Sequence, residues 1–402
     1  MKQFNPQKNY ILLLVVMLCF SVATALFQGV QENYFADSLH ISRSGRGIVE
    51  FFREMPGLLL FLILALFYKM PEHRILRVGF FVAIAGILGF VLVGTKLVPA
   101  IFFLTIFSAG QHILMPVRQS YAVHSVEPGK EGSALGLMRS IQSVGRVAGF
   151  FIVPLIFLIT ANTENGFIIT FVCVIFFAVG ALVLSFFLRN EGGHVKRERL
   201  YFRKKYKTYY ILQNFYGARK QVFLTFGPYV LVLKYGATPA VIATLMGICA
   251  IISIFSSPLI GKLIDKIGYK KIMVGDTVIL FLVCLIYGFA HHLFPQQIAF
   301  YVICGVFILD SLVSHASMAA SVYVKDLSDN RDEMTATLTT GISLDHVISI
   351  IIALAGGFIW EHVGIELLFV LAAVMAVMNS LIALTIKPGI KRMDDRMQEK
   401  VT

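Results

Sequence analysis

Twelve stretches of mostly apolar residues, divided by short polar breaks, run from one end of the 402-residue chain to the other. They fall near 10–36, 46–69, 75–95, 99–123, 133–160, 166–188, 209–235, 239–260, 272–291, 297–324, 335–360 and 364–386. Each has the ~20 residues a membrane-crossing helix needs. In lipid every backbone polar group must be satisfied within the segment, so runs of this length read as helices. With 57% hydrophobic and 14% charged residues, the composition excludes a soluble globule, a disordered chain and a disulfide-stapled secreted domain. Cys19, Cys173, Cys249, Cys284 and Cys304 all lie inside apolar runs without a C-x-x-C pair, so they read as small packing residues and imply no metal or cofactor. The sequence predicts an all-α membrane protein of twelve transmembrane helices.

The longest polar break is RNEGGHVKRERLYFRKKYKT, which holds eight of the chain's 35 Lys and Arg. It divides the sequence into an N-terminal six-helix bundle (1–188), a cytoplasmic basic linker (189–208), a C-terminal six-helix bundle (209–386) and a cytoplasmic tail (387–402). With the N-terminus inside, inner segments hold 25 Lys and Arg, and outer loops hold only four: Arg43, Arg46, Lys96 and Lys234. That bias places both termini in the cytoplasm of a cell (inner) membrane. It also accounts for the net charge of +12 through basic loops facing anionic lipid, with no nucleic acid involved. Lys2, Lys8 and Ala23-Thr24-Ala25 imitate a cleavable signal peptide, but the apolar run continues to Val30 and cleavage would leave eleven spans, so it reads as retained.

The halves look related at an offset of about 200 residues, the internal-repeat signature of secondary transporters. Ile75–Gly79 follows the second span and Lys271–Gly275 the eighth, and Ser133-Ala134 opens the fifth as Thr335-Ala336 opens the eleventh. The turn between spans eight and nine reads Gly261-Lys262-Leu263-Ile264-Asp265-Lys266-Ile267-Gly268-Tyr269-Lys270-Lys271. It resembles the G-x-L-x-D-[RK]-x-G-x-[RK]-[RK] signature of the major facilitator superfamily, and assigns Gly261, Asp265 and Gly268 a gating role. The equivalent first-half loop, Phe67–Arg74, lacks the Gly and Asp. The resemblance implies two pseudo-symmetric six-helix bundles, with helices 1, 4, 7 and 10 around a central cavity, 2, 5, 8 and 11 beside it, and 3, 6, 9 and 12 outermost.

Eleven ionisable residues sit inside the spans: Glu32, Glu50, Arg53, Glu54, Arg118, Arg139, Arg146, Arg219, Lys220, Asp310 and Asp345. A charge facing lipid at mid-membrane costs ~2.5–3.5 kcal/mol on insertion scales, so most must face water or one another. Helical spacing aligns Ser21, Thr24, Gln28 and Glu32, then Gln111, Met115 and Arg118, then Arg139, Gln142 and Arg146, and in span seven Gln213, Tyr216 and Lys220. The bland account of such stripes is interhelical hydrogen bonding. The functional account takes Gln28, Gln111, Arg118, Arg139, Gln142, Arg146, Tyr216, Arg219 and Lys220 as substrate-binding, and Glu32, Asp310, Asp345 and His346 as proton carriers. Glu50, Arg53 and Glu54, spaced to pair along one face, read equally as an outer gate or a static staple. His315 reads as a helix contact.

The excess of basic residues suggests a small anionic or zwitterionic solute, for which guanidinium forks are suited. The expected protein is a secondary active transporter working by alternating access, coupled to protons or another ion, and monomeric in the bilayer. The alternative is a proton-driven efflux pump for lipophilic compounds. No HExxH, GxSxG or GxxxxGK[ST] occurs, so neither a membrane enzyme nor an ATPase is expected.

Overall fold

The computed structural model describes residues 6–67, 69–127, 130–160, 163–189 and 202–386. The linker expectation therefore rests mostly on residues outside the described set (190–201), and the tail (387–402) lies wholly outside it. The described residues hold fourteen α-helices and no strand: α1 (Pro6–Asn33), α2 (Arg43–Leu58), α3 (Leu60–Ala65), α4 (Glu72–Val93), α5 (Leu97–His124), α6 (Glu131–Ile159), α7 (Thr163–Ser185), α8 (Lys207–Tyr235), α9 (Pro239–Ile267), α10 (Tyr269–Leu293), α11 (Gln296–Val313), α12 (Met318–Leu327), α13 (Arg331–His362) and α14 (Ile365–Leu384).

Two of the twelve expected spans are broken helices. The second is α2 followed by α3, because Pro56 has no N–H to bond the preceding turn and the chain leaves the helix at Leu59. The tenth runs Gln296–Leu327 as α11, a 3₁₀ turn at Ser314–Ser317, and α12. There the Ser314 hydroxyl donates to the Asp310 carbonyl at 2.7 Å, a side-chain bond that competes with the helix ladder.

Ten helical stretches are long and apolar enough to cross a membrane by length and composition. The two expected spans that fall short are α2–α3 and α8, and their polarity has a destination. Arg46, Glu50, Arg219 and Gln221 are all buried, each with 2% exposure or less. Meanwhile Leu158 is 80% exposed and Phe255 73%. Polar groups inside and large apolar groups outside is the inverse of a water-soluble fold, and it suits a solvent of acyl chains. The chain is a multi-pass membrane protein.

The helices gather into two compact units. Unit 1 comprises Met1–Ile41, Phe52–Arg197 and Val232–Ile251; unit 2 comprises Ser42–Phe51, Glu198–Leu231 and Ile252–Thr402. The first turns of α2 thus pack with α13, where Gly47 and Gly357 approach closely and the Arg43 guanidinium lies 5.7 Å over the Trp360 ring. In unit 1 the first half of α9 packs on α1, with Ala243 against Gly29.

Each unit has an aromatic knot. In unit 1, Phe27 of α1, Phe90 of α4 and Phe171 of α7 meet with centroids 5.5–6.2 Å apart. In unit 2, Phe223 of α8, Tyr287 of α10 and Phe369 of α14 meet at 4.8–5.2 Å. The offsets between corresponding rings are 196, 197 and 198 residues, so the repeat faint in the loops is carried by the cores. Such ring pairs add about 0.5–1.5 kcal/mol each beyond burial.

Close helix contact in unit 1 depends on small residues. A Cβ on Gly86 of α4 would strike the Phe107 backbone of α5, and one on Gly110 would strike that of Ala83. Gly180 of α7, by contrast, has nothing within 4 Å. Gly86→Ala should lower the thermal unfolding midpoint of the detergent-purified protein. Gly180→Ala should leave it unchanged or raise it by the helix-propensity gain of about 0.5–1 kcal/mol. Equal shifts in the two variants would show that α4 and α5 do not depend on this contact.

Candidate functional site

The polar residues of α8 each reach a different helix of unit 2. Arg219 Nη1 donates to Asp310 Oδ1 of α11 at 2.5 Å, and Nη2 lies 3.5 Å from the Ser314 hydroxyl. The Tyr216 and Phe223 rings flank the guanidinium at 5.5 and 5.4 Å, and the Tyr216 hydroxyl donates to the Ser314 carbonyl at 2.8 Å. Lys220 Nζ donates to Asp345 Oδ2 of α13. Gly217 makes room for that pair, since a Cβ there would strike Asp345 Oδ1. Gln221 Nε2 donates to Glu50 Oε1 of α2 at 3.1 Å and to the Thr225 hydroxyl at 2.8 Å. Arg46 Nη1 meets the other Glu50 oxygen at 3.0 Å.

Arg46 is a correction to the sequence reading, which put it in an outer loop. It lies one turn before Glu50 on α2 and is fully buried with it. Around the stripe Glu50, Arg53 and Glu54, Glu50 bonds Arg46 and Gln221 within unit 2, and Arg53 Nη2 bonds Glu54 Oε1 at 2.6 Å within unit 1. The Arg53 carbonyl accepts from the Ser108 hydroxyl of α5.

In unit 1, Arg118 of α5 lies in the electrostatic field of Arg139 and Arg146 of α6. Arg118 Nε is buried without a hydrogen-bond partner. Arg139 and Arg146 are exposed, and Arg146 Nη2 reaches only the Ser143 hydroxyl, at 3.4 Å. None of the three pairs with a carboxylate among the described residues. Gln142 Nε2 lies 3.8 Å from the Met17 sulfur of α1, Gln28 is exposed and Gln111 half-buried. Glu32 is buried at the far end of α1 and accepts from Gln31 Nε2 at 3.0 Å. In unit 2, His346 is half-buried beside Asp345, and His315 Nδ1 lies 3.2 Å from the Leu312 carbonyl and 3.4 Å from the Ser256 hydroxyl.

The signature loop is tighter than a turn between separate helices. α9 runs through Gly261 and Asp265 to Ile267, and α10 begins at Tyr269. Gly268, at φ 87°, is the single residue between them, in the left-handed region that glycine enters without cost. Gly261 is helical with open space around it, and Asp265 is exposed. Lys270 Nζ donates to the Leu384 and Ile386 carbonyls at 2.8 and 2.7 Å, closing the end of α14. The first half keeps this role without the motif: Arg77 of α4 donates to the Ser185, Phe186 and Leu188 carbonyls at the end of α7.

The burial of Arg46 and of Asn379 of α14 is not legible in the sequence, and Asp276 of α10, the ionisable residue near one end of span nine, has no partner assigned there. Their signal was present as isolated polar residues in apolar runs, but nothing in the spacing tied them to partners. At the far end of α10, His291 and His292 place Nε2 2.8 and 3.0 Å from Glu366 Oε1, a nitrogen–oxygen donor set of the kind that suits transition ions.

Residues 209–400 match the sequence model of the Major Facilitator Superfamily. No curated protein matches the chain in sequence. Among solved structures, the nucleoside transporter NupG superposes with a TM-score of 0.74 at 12% identity, over 94% of this chain and 100% of that one. A peptide transporter, POT, in complex with sulfate gives 0.74 at 14% over 96% and 95%, and a D-xylose-proton symporter gives 0.71 at 14% over 94% and 97%. At such identities the likeness is one of fold, and it extends over nearly the whole chain. The C-terminal half thus carries the sequence pattern of the Major Facilitator Superfamily, and nearly the whole chain has the fold of transporters of that kind.

Proposed function

We propose that this transporter moves a small anionic or zwitterionic solute across the cell (inner) membrane by alternating access, with protons as the coupling ion and both termini cytoplasmic. The observation that carries the reading is the arginine group of unit 1. Arg118, Arg139 and Arg146 lie on facing helices with no carboxylate among the described residues to neutralise them. The charges of Arg139 and Arg146 act on the partly buried Arg118 guanidinium, and an anion relieves that repulsion. The planar guanidinium fork matches a carboxylate or phosphate in two parallel bonds.

The cations of α8 stand differently. Arg219 and Lys220 are each matched by one carboxylate, so α8 carries no surplus positive charge at these positions. This divides the work: the surplus in unit 1 attracts cargo, and the balanced pairs of unit 2 serve coupling. A carboxylate held by a cation can give up that partner and take a proton, which leaves the cation one charge in surplus until it meets another anion. Asp310 and Asp345 are placed for this, Asp345 more accessibly, since its side chain is 16% exposed and that of Lys220 28%. Glu32 and His346 are the further proton candidates. A pump for lipophilic cations would gain nothing from three unneutralised arginines.

Uptake into liposomes across a panel of organic anions, amino acids, sugars and dyes, with and without a pH gradient, tests the reading. Transport should be selective for anions. Arg118→Ala, Arg139→Ala and Arg146→Ala should each lower it about ten- to a hundredfold, the equivalent of one charged hydrogen bond at ~1.5–3 kcal/mol. Wild-type rates in all three would place cargo elsewhere. Asp345→Asn should retain exchange of cargo across the membrane while losing acceleration by a pH gradient. An undiminished response to the gradient would remove Asp345 from coupling.

A further inference from the structure

Asp276 has no role in the site as described so far, and its surroundings give it one. It sits on α10, 9% exposed, and its Oδ1 is buried without a hydrogen-bond partner. Asn379 of α14, 8% exposed, has an equally unpartnered Oδ1. Both line one cavity of about 20 Å³, with Gln213 and Tyr216 of α8 and Ala316 and Ser317 of the 3₁₀ turn. The volume admits one water. Two buried acceptors facing one small cavity lack a donor, and in a native interior each such atom calls for an explanation.

A matching donor is present nearby. Arg219 is the cation in electrostatic reach of Asp276. Its Nη1 is held by Asp310, while its Nε is buried with no partner. An orphaned acceptor and an orphaned donor of opposite charge thus occupy the same region of unit 2. The other groups around them are known: Tyr216 and Cys284 interact with Arg219, Thr277 interacts with the Asp276 carboxylate through its hydroxyl and backbone N–H and leaves only Oδ1 unmet, that hydroxyl also lies 3.4 and 3.3 Å from the Met273 and Ala376 carbonyls, and the Ser314 hydroxyl donates to the Asp310 carbonyl. None of these is a second cation for Asp276.

The three charged residues are also stacked in order. Arg219 is three residues beyond Tyr216 on α8, about 5 Å along the helix. Asp310 is six residues before Ala316, about 9 Å along α11 and its 3₁₀ extension. Tyr216 and Ala316 both line the Asp276 cavity. By these helix positions the Arg219 backbone falls between the Asp276 cavity, on the side of the signature loop, and Asp310 on the opposite side. The 3₁₀ turn, a local break in the helix of the kind that marks hinges, begins four residues after Asp310.

We propose that Asp276 is a proton-binding site and that Arg219 exchanges between Asp310 and Asp276, so that the proton rests on whichever acid the guanidinium has left. In the arrangement seen, Arg219 holds the Asp310 carboxylate and Asp276 carries the proton, which gives the cavity the donor that Asn379 lacks. In the alternate arrangement Asp276 yields its proton to water in the cavity, Arg219 turns to the carboxylate so formed, and Asp310 takes a proton from water on its own side. One O–H bond breaks and one forms, and the trio has zero net charge in both states. No isolated charge is buried at either stage. The exchange passes the protonated site from one side of Arg219 to the other, and it rests on the proton-driven reading above.

The protonated-carboxyl infrared band of the purified protein at neutral pH tests this without knowledge of the cargo. Asp276→Asn should remove one component of the band, and Asp276→Glu, the control for folding, should keep it. Asp310→Asn should remove the same component, because Arg219 then has only Asp276 to hold and that carboxyl ionises. A component that survives in Asp310→Asn, or one unaffected by Asp276→Asn, overturns the exchange. Transport in liposomes separates the two proposals. Wild-type transport indifferent to a pH gradient rejects proton drive itself, whereas a wild-type response that Asp276→Asn fully retains rejects Asp276 alone.

Discussion

An ionised group taken out of water must find its compensation inside the protein, and this requirement organises the interior of the molecule. Truncating one partner of a buried pair costs about 3–5 kcal/mol, a large share of the stability of an ordinary domain. α8 illustrates the consequence. It is too polar to be recognised as a membrane span, yet most of it lies within unit 2, where Arg219, Lys220 and Gln221 each find a partner. The same holds for α2, whose Arg46 and Glu50 are buried against each other and against Gln221 of α8. The aromatic knots and close helix contacts supply cohesion around these pairs; the pairs determine which helices must be neighbours.

Much of this could be read from the amino acids because the bilayer imposes a coarse and regular demand. Runs of apolar residues delimit the helices to within a few residues, and Arg219, Lys220, Asp310 and Asp345 stand out because charges are costly in such runs. Pairing was harder. Arg219 and Asp310 are 91 residues apart, and Lys220 and Asp345 are 125 apart, so nothing local records that they meet. Arg46 was assigned to a loop because Ser42, Arg43, Ser44 and Arg46 make that stretch polar, and polarity alone does not distinguish an exposed turn from a helix whose charges are internally matched. The breaks at Leu59 and Ser314 are decided by one proline and by one serine hydroxyl bonding back to the preceding turn. Neither appears in hydropathy.

The repeat shows how function can diverge while a scaffold persists. Corresponding rings of the two aromatic knots hold a nearly constant offset, whereas the loops after the second and eighth spans have drifted. The second loop keeps the family signature and the first has lost it. The capping of the next helix end survives in both, by Lys270 in one and by Arg77 in the other. A packing role that any long basic side chain can fill tolerates such drift. The charge arrangements have diverged furthest, with arginines in unit 1 that meet no carboxylate among the described residues and balanced pairs in unit 2.

The geometry of an α-helix explains why so much converges on α8. Successive side chains are about 100° apart around the axis, so Arg219, Lys220 and Gln221 necessarily point in three directions. They meet α11, α13 and α2 respectively. A helix so tied cannot turn about its axis to improve one contact without straining the other two. The pairs therefore constrain one another mechanically as well as through their fields. The proposed exchange of the Arg219 partner would leave the other two contacts in place, because it needs only a rotation of side-chain torsions. On that proposal, a proton arriving at or leaving Asp276 or Asp310 acts on α11 through its 3₁₀ turn while α13 and α2 stay held.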